Sequence, residues 1–444
     1  MKYYEINFDG LPGPTHLFSG LALGNLASAT NEGLVSRPKA AALQSLEKIK
    51  FLAQLGIREA IIPPQIRPEL EAIKALGHKG PRNEVLKKIY EQDPKLFKSI
   101  FSSAFMWTAN AGTVSPSSDT SDNKLHITTA NLQTNFHRLI EAQYTFKYFR
   151  QVFATNDFKL HSPLRSSMAD EGAANHTRFC EGYGMPGLEF FVYGYSNTKP
   201  LGSLPSKHPA RQSLEAFEEI IKNHELNSEA TVLAQQLPEA IDAGVFHNDV
   251  ISTGNKNLFF YHEKSFVNQS QVIEELQNQY RKISSKDLIL LEAKDSEISL
   301  KDAVESYIFN SQILSPEHSD QMLLVCPLEC KENLRVKNFI DSKIIHNSRI
   351  PIKDVYYLDL KESMRNGGGP ACLRLRIVMS EKEIQNCKQS VFYNEALYNK
   401  MKTWINKFYP DELNLEMLLN EEFLNHLDQA YIELSKTFDI KLSF

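Results

Sequence analysis

The chain has 444 residues, 49 Lys and Arg against 54 Asp and Glu, and 42% hydrophobic residues, the profile of a globular protein with material for a large core. A net charge of −5 excludes a nucleic-acid or anionic-membrane surface built on bulk charge, and no run of about 18 apolar residues predicts a membrane span. Five scattered cysteines, Cys180, Cys326, Cys330, Cys372 and Cys387, make no disulfide framework and, with no signal-peptide core at the start, point to the reducing cytoplasm.

In chain order, Ala42, Leu46, Ile49 and Ala53 recur at helical spacing, and Gly56 stands where a helix stop is expected. MWTANAGTVSP (106–116) is a polar turn beside a strand, and NFHRLIEAQ (135–143) is helix-like. MADEGAANH (168–176) reads as a strand-to-helix turn, where Asp170 and Glu171 are either cleft carboxylates or helix caps. β-Runs cover 189–195 and 231–235, with a helical pattern at Leu214, Phe217, Ile220 and Ile221 between them. AGVFHNDVIS (243–252) precedes a β-run at 257–262, a helix carrying Val272, Leu276, Tyr280 and Ile283, and a run at 288–291. Further runs lie at 322–326 and 355–360, and RNGGGPACLRLR (365–376) leads into a last one at 373–379. Strands and helices alternating from end to end predict an α/β architecture. In MWTANAGTVSP, MADEGAANH, AGVFHNDVIS and RNGGGPACLRLR a strand runs straight into a polar turn; these four strand-turn units stand about 60 to 125 residues apart and hint at a repeated unit.

Three clusters carry chemistry. Three glycines from Gly367 to Gly369 let a ligand approach the backbone, and Cys372 follows at a strand end. The commoner fate of a lone cysteine is simple burial, and the loop lacks the Lys-Ser/Thr of a phosphate-binding loop, so a reactive thiol is the better reading. An extended His247-Asn248-Asp249 puts His247 and Asp249 on one strand face, an acid/base beside a fixed charge. Zinc is an alternative for this pair, but no further ligand motif accompanies it; Cys326 and Cys330, split by Pro327, read as structural. Arg138 and Arg211 suit bidentate carboxylate recognition, although solvated helix faces carry many arginines without such a role. A Cys, a His and an acid from separate motifs point to a cysteine hydrolase or transferase.

At these residues the sequence resembles a known family. NFDGL (7–11), SGLALGNLAS (19–28), MWTANAGTVSPSSDT (106–120), NFHR, DEGAANH, FVYG, GVFHNDV, FNSQ (309–312) and SMRNGGGPACLRLR are similar to the N-succinylarginine dihydrolases, in the same order from about residue 3 to 435. That family belongs to the guanidino-group-modifying, or pentein, superfamily. The resemblance implies one catalytic domain over 1–444, a five-bladed α/β propeller of ββαβ units with pseudo-fivefold symmetry, closed by C-terminal strands against the N-terminal segment. It implies hydrolysis of N2-succinyl-L-arginine, by two waters, to N2-succinyl-L-ornithine, two ammonia and CO2, in arginine catabolism by the succinyltransferase route. Cys372 would be the nucleophile, forming a thiouronium intermediate, with His247 and Glu171 as partners. Substrate contacts would come from Ser19, Gly20, Leu21, Ala22, Leu23, Gly24, Asn25, Leu26, Ala27 and Ser28, and from Asn110, His137, Arg138, Arg211, Asp249 and Asn366. Arg138 and Arg211 would take the substrate carboxylates, and Asp249 and Glu171 its guanidinium. Asn110 stands where deiminases of this fold commonly carry a carboxylate. No metal or cofactor is implied, and a homodimer is. A deiminase or amidinotransferase on the same fold is the nearest rival; a non-catalytic binding protein would lack the Cys-His-acid set.

Overall fold

The β-runs of the sequence become strands within two or three residues of their expected places. In the computed structural model, which describes residues 2–317, 319 and 321–442, they and further short strands form five three-stranded sheets among the described residues. β1 (Tyr3–Gly10) lies parallel to β2 (Arg58–Ile62). β3 (Gly112–Ser115), β4 (Leu125–Thr129) and β5 (Phe158–His161) form the second sheet, and β6 (His176–Cys180), β7 (Gly187–Tyr193) and β8 (Thr231–Gln235) the third. β9 (Ser252–Asn255), β10 (Leu258–His262) and β11 (Ile289–Ala293) form the fourth. β12 (Gln312–Leu314), β13 (Met322–Pro327) and β14 (Ile352–Leu358) form the fifth. β15 (Arg374–Ser380) then returns to the first sheet, antiparallel to β1 with Tyr3 opposite Ser380 and Asp9 opposite Arg374.

Every sheet follows one plan: an antiparallel pair, then a third strand parallel to the second. A parallel neighbour needs a long crossover, and helices supply it. They are Pro38–Gln54, Ala142–Val152, Leu214–Asn223, Gln269–Ile283 and, in the fifth unit, Leu334–Phe339. The first of these starts with Pro38 at its first turn and stops at Gly56, whose φ of +82° an L side chain would resist. Its buried face is Ala42, Leu46, Ile49 and Leu52; each large side chain there is worth about 1.5–3 kcal/mol by removal from water. The middle strands are buried on both faces, which explains the unbroken apolar run of β13. C-terminal helices Glu395–Phe408 and Glu421–Phe438 cover the first unit, joining Trp404, Leu427 and Leu434 to its core.

Two expectations change. The polar turns lead into the first strand of each unit instead of following a strand. Thr108–Asn110, Gly172–Asn175, Asn248–Val250 and Ile308–Asn310 are all short 3-10 turns, and the turn through Cys372 precedes β15 in the same way. The turn at Ile308–Asn310, which runs into FNSQ, is the unit missing from the longest sequence gap. The second change concerns His247 and Asp249, which do not share a strand face: His247 is extended, and Asp249 lies inside the turn that follows.

Candidate active site

The five turns are linked end to end in a ring of hydrogen bonds. The Asn110 amide Nδ2 donates to the Glu171 carbonyl at 2.7 Å, and the Asn248 N–H donates to Asn175 Oδ1 at 2.8 Å. Asn310 Nδ2 donates to the Asp249 carbonyl at 3.3 Å, and the Cys372 N–H donates to Asn310 Oδ1 at 3.2 Å. The Ala109 N–H closes the ring on the Cys372 carbonyl at 3.1 Å. Four of these five links use an asparagine side chain, which carries donor and acceptor on one short arm. A cavity of about 100 Å³ runs on from the ring, lined among others by Asp249, Ala371, Thr177, Gly254, Arg374 and Arg376.

Cys372 is 3% exposed. Asn310 Nδ2 donates to its sulfur at 3.1 Å, and its thiol faces Asp249 Oδ2 at 3.5 Å. Burial and then the Asp249 carboxylate push the thiol well above its ordinary value, so the resting group is neutral. Asp249 is itself raised, to about 7, by burial. Its Oδ1 has no partner. A cation entering here would favour both ionised forms.

Beside this pair lies a charged triad. Glu171, wholly buried, receives Arg138 Nη1 on Oε1 at 2.8 Å and Arg138 Nη2 on Oε2 at 2.5 Å. His247 Nε2 meets Oε2 at 2.8 Å. Burial works to raise the Glu171 carboxyl, but the Arg138 guanidinium and then His247 hold it far below the usual carboxylate range. An ionised Glu171 can only accept, so Nε2 carries the hydrogen and Nδ1 keeps its lone pair. That Nδ1 is buried without a partner, and burial lowers the imidazole to about 4. The arrangement is a neutral base with one free nitrogen, held by a fixed anion.

Arg211, two residues before the Ser213 cap of its helix, donates through Nη2 to the Leu23 carbonyl and stands over the Phe246 ring at 4.8 Å. Its Nε has no partner, and burial lowers it to about 10, still cationic at neutral pH. His137, in the short helix Phe136–Leu139, is buried with Nδ1 unpartnered and is lowered to about 3 by burial and by Arg138. The segment from Ser19 to Ser28 lies against both groups of residues. Asn25 Nδ2 donates to the Gly367 carbonyl at 2.9 Å while its Oδ1 accepts from the Ser28 N–H. Asn366 Nδ2 donates to the Leu17 carbonyl at 3.1 Å. Gly20 and Gly24 turn the segment at positive φ, and Leu23 and Leu26 stay exposed.

The structure therefore gathers Cys372, Asp249, His247, Glu171, Arg138, Arg211 and His137 into one buried cluster, with Asn25 and Asn366 tying the loops above it. Asn110 is joined to it through the Glu171 backbone. Cys372 sits in the turn, two residues before its strand begins. The Asp170 and Glu171 turn leads into β6, not a helix; Asp170 Oδ1 caps the Gly172 N–H at 3.0 Å, and burial raises its carboxyl to about 6. Arg138, expected on a substrate carboxylate, is held by Glu171 instead. Two residues of the cluster escaped the sequence reading of the site. They are Asn310, visible only as part of FNSQ, and Tyr307, whose hydroxyl donates to the Gly367 carbonyl at 3.2 Å. Among the described residues no group of three or more His, Cys, Asp or Glu side chains is arranged to hold a metal ion.

A model of the succinylarginine dihydrolase family matches residues 2–444. The N-succinylarginine dihydrolase of Shewanella putrefaciens strain CN-32 is 46% identical over 441 residues, covering 98% of this chain and 97% of its own. That of Shewanella loihica is 44% identical over 439 residues with the same coverage. Among solved structures, the N-terminal domain of ArgZ, an arginine dihydrolase of the cyanobacterial ornithine–ammonia cycle, superposes with a TM-score of 0.51 at 15% identity. It covers 84% of this chain and 98% of that one. Unliganded AgrE gives 0.50 at 14% identity, covering 84% and 40%. These likenesses carry the fold, and the pentein α/β propeller expected from the sequence is the one the chain has.

Proposed function

The chain belongs to the succinylarginine dihydrolase family, and we propose that it hydrolyses N2-succinyl-L-arginine through a covalent adduct on Cys372. The observation that carries this reading is the buried thiol between Asp249 and Asn310, beside a histidine whose free nitrogen is fixed by Glu171.

A guanidinium is planar, delocalised and a weak electrophile, which calls for a thiolate. Bound against Asp249, the substrate cation ionises the carboxyl that now resists ionisation and favours the Cys372 thiolate in the same step. His247 Nδ1 takes the thiol proton as Cys372 attacks the guanidinium carbon and the C–S bond forms; the same proton passes to the departing ammonia, and a thiouronium is left. Water, deprotonated by His247, adds to it; the second ammonia departs and an S-linked thiocarbamate remains. A second water breaks the C–S bond, returns the thiolate and gives a carbamic acid that loses CO2 to free the ornithine amine. A positioned acid-base group of this kind is worth about 10²–10⁴-fold. Arg211, with an unpartnered Nε, is the natural donor to a substrate carboxylate, with the Ser19–Ser28 amides beside it. Asn110, His137 and Asn366 complete the substrate contacts in this reading. We place the enzyme in the cytoplasm as a homodimer of one-domain subunits, on the family likeness and on five cysteines that are all free thiols.

Counting ammonia decides the reaction. Two per succinylornithine formed is the expected result; one ammonia with a ureido product means a deiminase, and none means a transferase. A Cys372→Ser variant that releases ammonia at the wild-type rate overturns the covalent route.

A further inference from the structure

We propose that Asn310 is a further catalytic residue, whose side-chain amide holds the Cys372 sulfur in place and stabilises it as the attacking thiolate. The inference rests on Cys372 as nucleophile and deepens that reading.

Asn310 grips the nucleophile with both ends of one amide. Nδ2 donates to Sγ at 3.1 Å, Oδ1 accepts from the Cys372 N–H at 3.2 Å, and the Asn310 main-chain carbonyl accepts from the Ala371 N–H at 2.9 Å. The sulfur is thus fixed relative to the backbone that carries it. Asn310 is wholly buried, so water does not compete for the amide. Gly369 makes room for it, since a Cβ there would come within 2.6 Å of Oδ1. Among the groups at Cys372, burial and Asp249 oppose ionisation, and the Asn310 amide works the other way. The same amide also reaches the Asp249 carbonyl at 3.3 Å, so one side chain references the nucleophile to the neighbouring turn. Among amino acids the bridge is specific to asparagine: aspartate has the shape without the donor, and alanine has neither.

The test compares wild type with Asn310→Asp and Asn310→Ala. Asn310→Asp keeps the acceptor for the Cys372 N–H and the side-chain volume, so it preserves the turn; thermal unfolding checks that it folds. Iodoacetamide labelling of the peptide containing Cys372, followed by mass spectrometry from pH 7 to 10 without substrate, reads the thiol directly. Both variants are expected to label at least about tenfold more slowly at each pH, and kcat on succinylarginine to fall about 10²-fold with KM within about threefold. A purely architectural role predicts that Asn310→Asp labels and turns over like wild type, and that result overturns the proposal. The labelling arm does not depend on the substrate. If wild type fails to hydrolyse succinylarginine yet the variants still label slowly, the substrate reading fails and the role of Asn310 stands.

Discussion

Arg138 closes a two-pronged hydrogen bond on Glu171, with both side chains shut off from solvent. The carboxylate so held fixes the His247 tautomer, so Arg138 acts on the chemistry through two other residues. Removing one partner of a buried pair leaves an unpaired charge. Arg138→Ala is therefore expected to lose about 3–5 kcal/mol of stability in urea unfolding. Adding Glu171→Gln should return at least about 1 kcal/mol of that loss, because the double variant has no orphaned anion. Strictly additive losses would mean the two side chains are not coupled.

Asp249 couples substrate binding to a proton. Burial raises its carboxyl to about 7, so it is largely protonated in slightly acid solution. A bound guanidinium lowers it again, so binding expels the proton. Calorimetry of succinylarginine with a Cys372→Ser variant, in buffers of different ionisation enthalpy, should show up to one proton released near pH 6.5. The apparent KM should rise by up to about tenfold per pH unit below 7. Asp249→Asn should bind weakly and release none; unchanged release in that variant would assign the proton elsewhere.

The specificity end of the site gives a second contrast. Arg211 is buried with one nitrogen free and one on the Leu23 carbonyl, a donor set suited to a carboxylate that free arginine lacks on its α-nitrogen. Arg211→Ala should lower kcat/KM for succinylarginine by about 10²-fold or more, the usual scale for losing a charge-assisted contact in a closed site. Its effect on binding of free arginine should be much smaller. Equal losses would move the succinyl contact away from Arg211.

Much of this is legible in the sequence alone. Helix spacing at Leu46 and Ile49, the stop at Gly56 and the apolar β-runs each follow from local chemistry, and the long motifs carried the fold and the cluster of Cys372, His247 and Glu171. The misreadings concern backbone turns. His247 and Asp249 obey strand alternation on paper, but a 3-10 turn at Asn248–Val250 aims them at different partners, His247 at Glu171 and Asp249 at Cys372. Asn310 has no local signature, because its role depends on Cys372, 62 residues later. Arg138 likewise could be matched to an anion but not to which one, since a substrate carboxylate and Glu171 offer it the same fork.

The glycines before Cys372 test how tightly the turn is built. A Cβ on Gly368 would lie 2.0 Å from Trp107 Nε1, which donates to Ser363 Oγ at 3.2 Å, and Ser363 Oγ donates to the Gly368 carbonyl at 2.6 Å. Gly368→Ala must push the indole or the turn aside. We expect a stability loss of about 1–3 kcal/mol together with a fall in kcat, because the displaced turn carries the nucleophile. Loss of stability at wild-type kcat would mean that the turn absorbs the change without moving Cys372.

Histidines buried in the neutral form and carboxyls buried in the protonated form pull acid stability in opposite directions. Burial lowers His16 to about 4, His137 to about 3 and His247 to about 4. Unfolded, each titrates near 6.5, so below that the unfolded chain binds protons that the folded one refuses. Their contribution is intact above about pH 6.5 and is lost as pH falls toward 4, at up to about 1.4 kcal/mol per pH unit for each. Asp249 has the opposite sign. Its folded value of about 7 exceeds the unfolded one, so its protonation supports the fold as pH falls through 7. In wild type, urea midpoints measured from pH 7.5 to 4.5 report the balance of the two kinds of group. Relative to wild type, acid should cost less stability by about one proton in His247→Gln and more in Asp249→Asn. Parallel curves for all three proteins would show that neither group changes its protonation on unfolding in this range.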